Sequence, residues 1–250
     1  LPLGVELIVF VCDDGSKDGT GEMLATEFPQ VNVVQGNGSL FWNGGTNLAW
    51  NTAKDFGNFD FFLWLNDDTY LRTDALLDLF GQYDTLQEPA IITGACSDPK
   101  TDKFSFGGTT VSGPVIPNGS LQEVNLINGN LVLIPAEIEK ELNGLSLIFT
   151  HYLGDYDYGL RAQAKGWKCY TSANYLAECE INELPYWGDS KLGFSQRWKL
   201  VHYVKGLALS EYYQFLKIHK GRMQGLKTLL SVYLRVFAPS LFFSLKKSLR

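Results

Sequence analysis

Two apolar runs in this chain end in the same way. "VELIVFV" (Val5–Val11) leads into "CDDGSKDGT" and "FDFFLWL" (Phe59–Leu65) into "NDDT", so each stretch of β-branched and aromatic residues is closed by a pair of aspartates. Runs of this length and content read as buried strands, and unpaired acids are too costly to follow them into the interior. The carboxylates therefore belong at the open ends of the strands, facing solvent or a cation. Segments of helical spacing follow: "GTGEMLATEF", ending before Pro29; "GGTNLAWNTAKDFG", with Gly44 and Gly45 at its entrance and Gly57 at its exit; and "TDALLDLFGQY", capped by Thr73. With "VNVVQG" as a further short strand, the alternation predicts an α/β fold with a mostly parallel central sheet flanked by helices.

Three readings of "CDDGSKDGT" compete. Asp, Gly and Ser cluster in ordinary turns. Asp14, Ser16, Asp18 and Gly19 also match the first half of a calcium-binding EF-hand loop, but its twelfth position is Ala25 where a bidentate Glu is required, and the segment entering it is a strand where a helix is required. The third reading is a ligand site at the carboxyl end of a strand, where open α/β sheets bind nucleotides.

Length and charge narrow the class. The chain has 250 residues, 45% of them hydrophobic, enough for a full core. Its net charge of −6 hides a division: residues 191–250 carry twelve Lys or Arg against one acid, Glu211, and residues 1–190 carry nine bases against twenty-six acids. This predicts an acidic catalytic domain over 1–190 and a basic, aromatic, helical region over 191–250, helical from Pro185 onward, facing an anionic partner. The tail's bases alternate with long aliphatic stretches, which argues against nucleic acid. Its apolar run is broken by Arg235 and Pro239, which argues against a membrane-spanning helix. Two readings stay open: an amphipathic helix on an anionic membrane surface, or packing on the chain's own body or on a second subunit of a homodimer.

Cys12, Cys96, Cys169 and Cys179 have no CxxC or zinc-ligand spacing, and a reduced, cytoplasmic setting is expected. The first residues show no signal peptide. His151, His202 and His219 fall at no metal-binding spacing, and GxSxG, Walker A and GxGxxG motifs are absent from the sequence. Hydrolase, P-loop and dinucleotide-binding readings are thereby disfavoured.

Three constellations remain. In "NDDT", Asp68 is placed to bind a divalent ion that also holds a diphosphate, against the plain alternative of a strand-end turn. "GNGSLFWNGGTN" (Gly36–Asn47) offers backbone amides ahead of a helix, an anion site if this loop and "NDDT" share one sheet edge. In "LGDYDYGLRA", Asp155 and Asp157 are either helix caps or a general base, and Arg161 either orients an acid or packs inward as a salt bridge. The helix starting at Asp155 is expected to end at Gly166, and "NLINGNLVLIP" reads as another strand.

In this order, "DDGSKDGT", "GNGSLFWNGGTN", "FLWLNDDT" and "GDYDYGLRAQAKGW" resemble the family 2 glycosyltransferases of GT-A fold, in particular the rhamnosyltransferase-like members that build bacterial surface polysaccharides. The resemblance covers roughly Val5 to Trp198. It implies an inverting transfer of a hexosyl or rhamnosyl group from a nucleotide-diphosphate sugar to a hydroxyl of a saccharide or lipid-linked acceptor. Asp13 would contact the base and Asp14 would shape the turn or meet the ribose. Gly44, Gly45 and Asn47 would line the donor, and Asn66 and Asp67 would lie beside it. Asp68 would be the principal ligand of Mg2+ or Mn2+. Asp155 occupies the acid position of the family's "ED" motif, with Gly154 where Glu is usual, leaving Asp155 and Asp157 both as candidates for the base. The family normally begins with a further strand and helix, so a longer native protein is expected. A sugar nucleotidyltransferase and a non-catalytic carbohydrate-binding or scaffold protein are the rival readings.

Overall fold

Ala90–Ser97 is buried along its whole length, and the sheet is built outward from it. The computed structural model of the chain describes residues 1–181 and 186–248; Pro185 and Arg250, the ends of the expected helical region, lie outside them. In chain order the first elements are β1 (Phe10–Asp13), α1 (Thr20–Glu27), β2 (Asn32–Gln35), α2 (Phe41–Phe56), β3 (Phe61–Leu65), β4 (Tyr70–Leu71) and α3 (Ala75–Tyr83). There follow β5 (Ala90–Ser97), β6 (Phe104–Phe106), β7 (Thr109–Thr110), β8 (Gly113–Pro114), β9 (Gln122–Glu123), β10 (Leu131–Pro135), α4 (Ala136–Leu142), α5 (Gly154–Ala164) and β11 (Lys168–Glu178).

The larger sheet runs β3-β10-β5-β11-β4, with β6 on β5 and β9 on β11. Strands β5 and β11 are parallel, whereas β10 lies antiparallel to both β3 and β5, and β4 antiparallel to β11. A separate parallel pair is formed by β1 and β2. The α/β class with a central sheet flanked by helices is therefore the observed one, but the expected mostly parallel direction is not: in the larger sheet, among the described residues, β5–β11 is the parallel pairing, while β10 returns between two strands of the other sense and β4, β6 and β9 add antiparallel edges. Successive residues of a strand face opposite sides. Val132 and Ile134 accordingly join one core with Trp50, Trp64, Ile91 and Tyr158, while Leu131 and Leu133 join a second with Leu79, Ile92 and Leu176.

The aromatic centre of the first core ties three elements together. Trp50 of α2, Trp64 of β3 and Tyr158 of α5 have ring centroids 5.2–5.4 Å apart in pairs. Such pairs contribute about 0.5–1.5 kcal/mol each beyond burial. The helix carrying Asp155, the strand leading to "NDD" and the helix after the glycine-rich loop are thus locked to one another.

Several boundaries differ from expectation. Only Phe10 and Val11 of the first apolar run are strand, because β1 is held on one edge by the four-residue β2, and Leu7 and Val9 are exposed. Helix α2 begins at Phe41, so Gly44 and Gly45 lie inside it instead of at its entrance. Helix α3 has no cap from Thr73: its N-cap is Asp74 in the left-handed region, φ 63°, without a side-chain capping bond.

A second unit comprises Ile148–Leu153 and the chain from 182 onward. It contains α6 (Phe194–His202), α7 (Leu209–Lys220), α8 (Arg222–Phe237) and α9 (Pro239–Ser248). Val201, Leu209, Val232 and Val236 form its core, and both Glu211 oxygens accept hydrogen bonds from Thr150, at 2.9 Å from the amide and 2.6 Å from the hydroxyl. Among the described residues no helix is long and apolar enough to cross a membrane.

Candidate active site

Asp13 ends β1 and is buried. Its Oδ1 accepts the Ser16 amide at 2.8 Å, and the Ser16 backbone and hydroxyl hold this carboxyl below its ordinary pKa, so it stays charged. Asp14 turns the other way. Its Oδ1 accepts the Gly38 amide at 2.7 Å, and its Oδ2 accepts the amides of Leu40 at 2.7 Å and Phe41 at 3.2 Å. A carboxylate on the first amides of a helix satisfies donors that have no partner within it and complements the dipole. Asp14 thereby clamps the glycine-rich loop to β1, and Phe41 enters the helix at φ 53°, a costly conformation for a residue with a Cβ.

From the first turn of α2, the Trp42 Nε1 donates to Asn66 Oδ1 at 2.6 Å. The glycine-rich loop and the "NDD" turn thus meet through Trp42, although they follow strands of two different sheets. Asn66 Nδ2 in turn donates to Asn130 Oδ1 at 2.9 Å, and the Asn66 amide to the Asn130 carbonyl at 3.0 Å. Asn130 is buried, and its Nδ2 donates to Cys179 Sγ at 3.1 Å, whose thiol lies 3.9 Å from Asp68 Oδ1. Burial first, and then the Asp68 charge, raise the Cys179 pKa and keep the thiol neutral. Asp67 and Asp68 themselves are exposed.

The same tripeptide, Asn128–Gly129–Asn130, holds the other acid. Asp155, in the first turn of α5, is buried, with Oδ2 accepting the Gly129 amide at 2.9 Å and Oδ1 accepting the Tyr156 amide at 2.8 Å. Burial outweighs these bonds and lifts its pKa to about 6. Such a value suits a general base that works near neutrality. Asp157, two residues on, is occupied differently: its Oδ2 accepts Arg161 Nε at 2.7 Å, and Arg161 also donates to the carbonyls of Leu142 and Gly144. Arg161 is therefore an inward salt bridge that ties α5 to the end of α4.

Close packing explains two glycines here. A Cβ at Gly129 would overlap the Trp42 ring, and one at Gly154 would overlap Asn43 Oδ1. Asn43 is fully buried and donates to the Ser146 carbonyl at 2.9 Å. Glycine at position 154, where the resembled motif has Glu, is the residue that fits beside Asn43.

The structure therefore links Asp14, Asn66, Asp68 and Asp155 through the start of α2 and the tripeptide before β10, with Asp13 next to Asp14 in the chain but its carboxylate bonded within its own turn. It leaves others apart. Asn47 Oδ1 accepts the Leu145 amide at 3.2 Å, in the connection after α4. The Gly44 amide is spent within the chain on the Leu40 carbonyl at 3.1 Å, so it cannot serve as the expected anion donor, and Gly45 packs on Cys12. The joining roles of Trp42, Asn130 and Cys179 leave little trace in the sequence; the "NGN" ahead of a wholly apolar run is the available signal.

Among the described residues no three His, Cys, Asp or Glu side chains converge as a metal cage. The exposed Asp67 and Asp68 nevertheless fit a hard divalent ion that draws its remaining ligands from phosphate and water, as Mg2+ commonly does.

No family model matches the chain, and no curated protein matches it by sequence. Solved structures do match. The mannosyltransferase PcManGT from Pyrobaculum calidifontis, in complex with GDP-Man and Mn2+, is 14% identical with TM-score 0.53, over 94% of this chain and 62% of that one. S. aureus TarS 1-349 in complex with UDP-GlcNAc is 16% identical with TM-score 0.50, over 96% and 66%. GalNAc-T7 with UDP, GalNAc and Mn2+ is 12% identical with TM-score 0.52, over 91% and 51%. This chain thus spans between about half and two thirds of the lengths of these three structures. At these identities the likeness is one of fold: the chain shares the GT-A type α/β architecture of nucleotide-sugar glycosyltransferases.

Proposed function

We propose that the chain is the catalytic part of an inverting, family 2, rhamnosyltransferase-like glycosyltransferase that works in the cytoplasm on bacterial cell-surface polysaccharide. It moves a hexosyl or rhamnosyl group from a nucleotide-diphosphate sugar to a hydroxyl of a saccharide or lipid-linked acceptor. One observation carries the reading: Asp155, a buried carboxylate poised near neutrality, and the exposed Asp67–Asp68 pair are both anchored, directly or through Asn66 and Cys179, to Asn128–Asn130. The fold likeness to structures complexed with GDP-Man and UDP-GlcNAc supports it.

In this mechanism Asp13 reads the donor's base, while Asp14 keeps the loop beside it in place. Asp155 accepts the proton of the acceptor hydroxyl as that oxygen bonds to the anomeric carbon. The bond from that carbon to the diphosphate breaks on the opposite face, so the configuration inverts. Asp157 does not act as base, since its carboxylate is committed to Arg161. Asp68, with Asp67 beside it, would hold Mg2+ or Mn2+, which when bound neutralises charge on the departing diphosphate. Asn66 positions that turn through its bonds to Trp42 and Asn130.

A thermal-shift screen of UDP-, GDP- and dTDP-sugars with and without Mn2+ tests donor binding, because a ligand of the folded state raises its stability. A metal-dependent rise in Tm with at least one donor is expected, and it should vanish in Asp68→Ala. Melting unchanged by every donor would reject the proposal.

A further inference from the structure

Helix α8 carries one broad apolar arc, and among the described residues only one side of it is covered. Gly225, Val232 and Val236 are buried, with Leu229 and Tyr233 partly so, on the face turned to the core of the second unit. At 100° per residue, Met223, Leu226, Leu230 and Phe237 fall on the adjoining side, and they are 66%, 42%, 72% and 61% exposed. Gln224, Lys227, Thr228, Ser231 and Arg235 make up the remaining polar side, so the apolar arc is wider than the packed face needs. The open stripe continues into α6: the Phe237 ring lies 5.4 Å from Phe194 and 5.8 Å from Trp198, both partly exposed.

Charge says what covers the stripe. Lys217, Lys220, Arg222 and Lys227 are exposed around its beginning, at the turn from α7 into α8 and along the first turns of α8. The acid of residues 191–250, Glu211, is a single charge against these four bases, and its carboxylate is turned to Thr150. A protein interface between two copies of this surface would oppose these bases to one another, whereas an anionic bilayer attracts every one of them. Sixteen residues of helix span about 24 Å, shorter than a hydrocarbon core of about 30 Å. The helix is therefore suited to lying in the plane of the interface, apolar side down, with Trp198 and Phe194 at headgroup level as aromatic side chains prefer.

We infer that the exposed face of α8, extended by Phe194 and Trp198, is a docking surface for an anionic lipid bilayer. This surface is independent of the proposed transfer reaction. Its role would be to hold the chain at a membrane surface without spanning it.

Flotation of the full chain with vesicles tests this. The chain is expected to float with equimolar phosphatidylglycerol and phosphatidylcholine and much less with phosphatidylcholine alone, and high salt should weaken the binding. The pair Leu230→Glu and Phe237→Glu should reduce partitioning about tenfold or more, since it replaces two inserting apolar side chains by carboxylates. Both side chains are exposed, so the far-ultraviolet spectrum should not change and Tm should fall only slightly, through the Phe237 ring contacts with Phe194 and Trp198. In Lys220→Glu with Arg222→Glu, the preference for phosphatidylglycerol should shrink while the fold is kept. Absence of flotation with either vesicle, or flotation undiminished in the Leu230/Phe237 pair, would overturn the inference. So would a chain that sediments as a dimer, is split by that pair and ignores vesicles, because the stripe would then belong to a second copy.

Discussion

At the scale of residues, the site depends on pairs whose members make sense only together. Gly154 and Asn43 are the clearest case. In sequence, position 154 is a glycine where an acid is expected; in the fold, the space a side chain would need is filled by the Asn43 carboxamide. Gly154→Ala should destabilise the protein by about 1–3 kcal/mol through overpacking. Asn43→Ala should also destabilise, by losing the bond to Ser146. In the double variant, however, the cost of Ala at 154 should largely disappear, because the overlapping carboxamide is gone. Chemical denaturation of all four proteins measures this coupling, and strict additivity would contradict it. Asp155 shows the same dependence on surroundings. Its identity as an acid was legible, but its pKa of about 6 is a product of burial against Gly129 and Tyr156. Because that value lies above the ordinary 3.8, the group favours the folded state most at low pH, and that contribution is lost as pH rises through about 6.

At the scale of elements, local pattern was readable where a strand or helix carries its own signal. Helix α1 stops before Pro29, α5 ends ahead of Gly166 and β3 follows its apolar run. Strands β5 and β11 were not read, although they are the middle of the sheet. A strand buried on both faces loses the alternation that marks a half-exposed one, and β11 mixes Thr, Ser and Asn with its apolar residues. The start of α2 is hidden from local pattern because Asp14, 26 residues before Leu40, satisfies its first amides. Side-chain bonds between distant elements leave no periodic trace: Cys179 and Asp68 are 111 residues apart in the chain. The Trp42–Asn66–Asn130–Cys179 chain makes Asn130 the joint between α2, the "NDD" turn and the end of β11. Asn130→Ala removes both its bonds. It should weaken Mn2+ binding, read by electron paramagnetic resonance, about tenfold, the lower end of what a partner of a metal ligand typically contributes. Wild-type affinity in this variant would show that the chain does not position Asp68.

At the scale of the whole molecule, the sequence divides by charge into an acidic part and a basic one, and the fold divides near the same place, with Ile148–Leu153 crossing over to the helical unit. That short exchange could not be read locally, since it depends on Thr150 meeting Glu211. The acidic unit carries the candidate site and the basic unit the open apolar stripe, so the proposed chemistry and the proposed docking surface belong to different units. The central claim concerns the first: a sugar is transferred with Asp155 as the base. The most direct test is release of nucleoside diphosphate from a bound sugar donor, followed against pH for the wild type and for Asp155→Asn, with donor affinity measured in both. The wild-type rate should rise with pH through about 6 and then level off, as the carboxyl loses its proton. Asp155→Asn should bind the donor equally well, release about 10²- to 10⁴-fold more slowly and lose that pH dependence. Release of pyrophosphate in place of nucleoside diphosphate, or turnover by Asp155→Asn at the wild-type rate, would contradict the account.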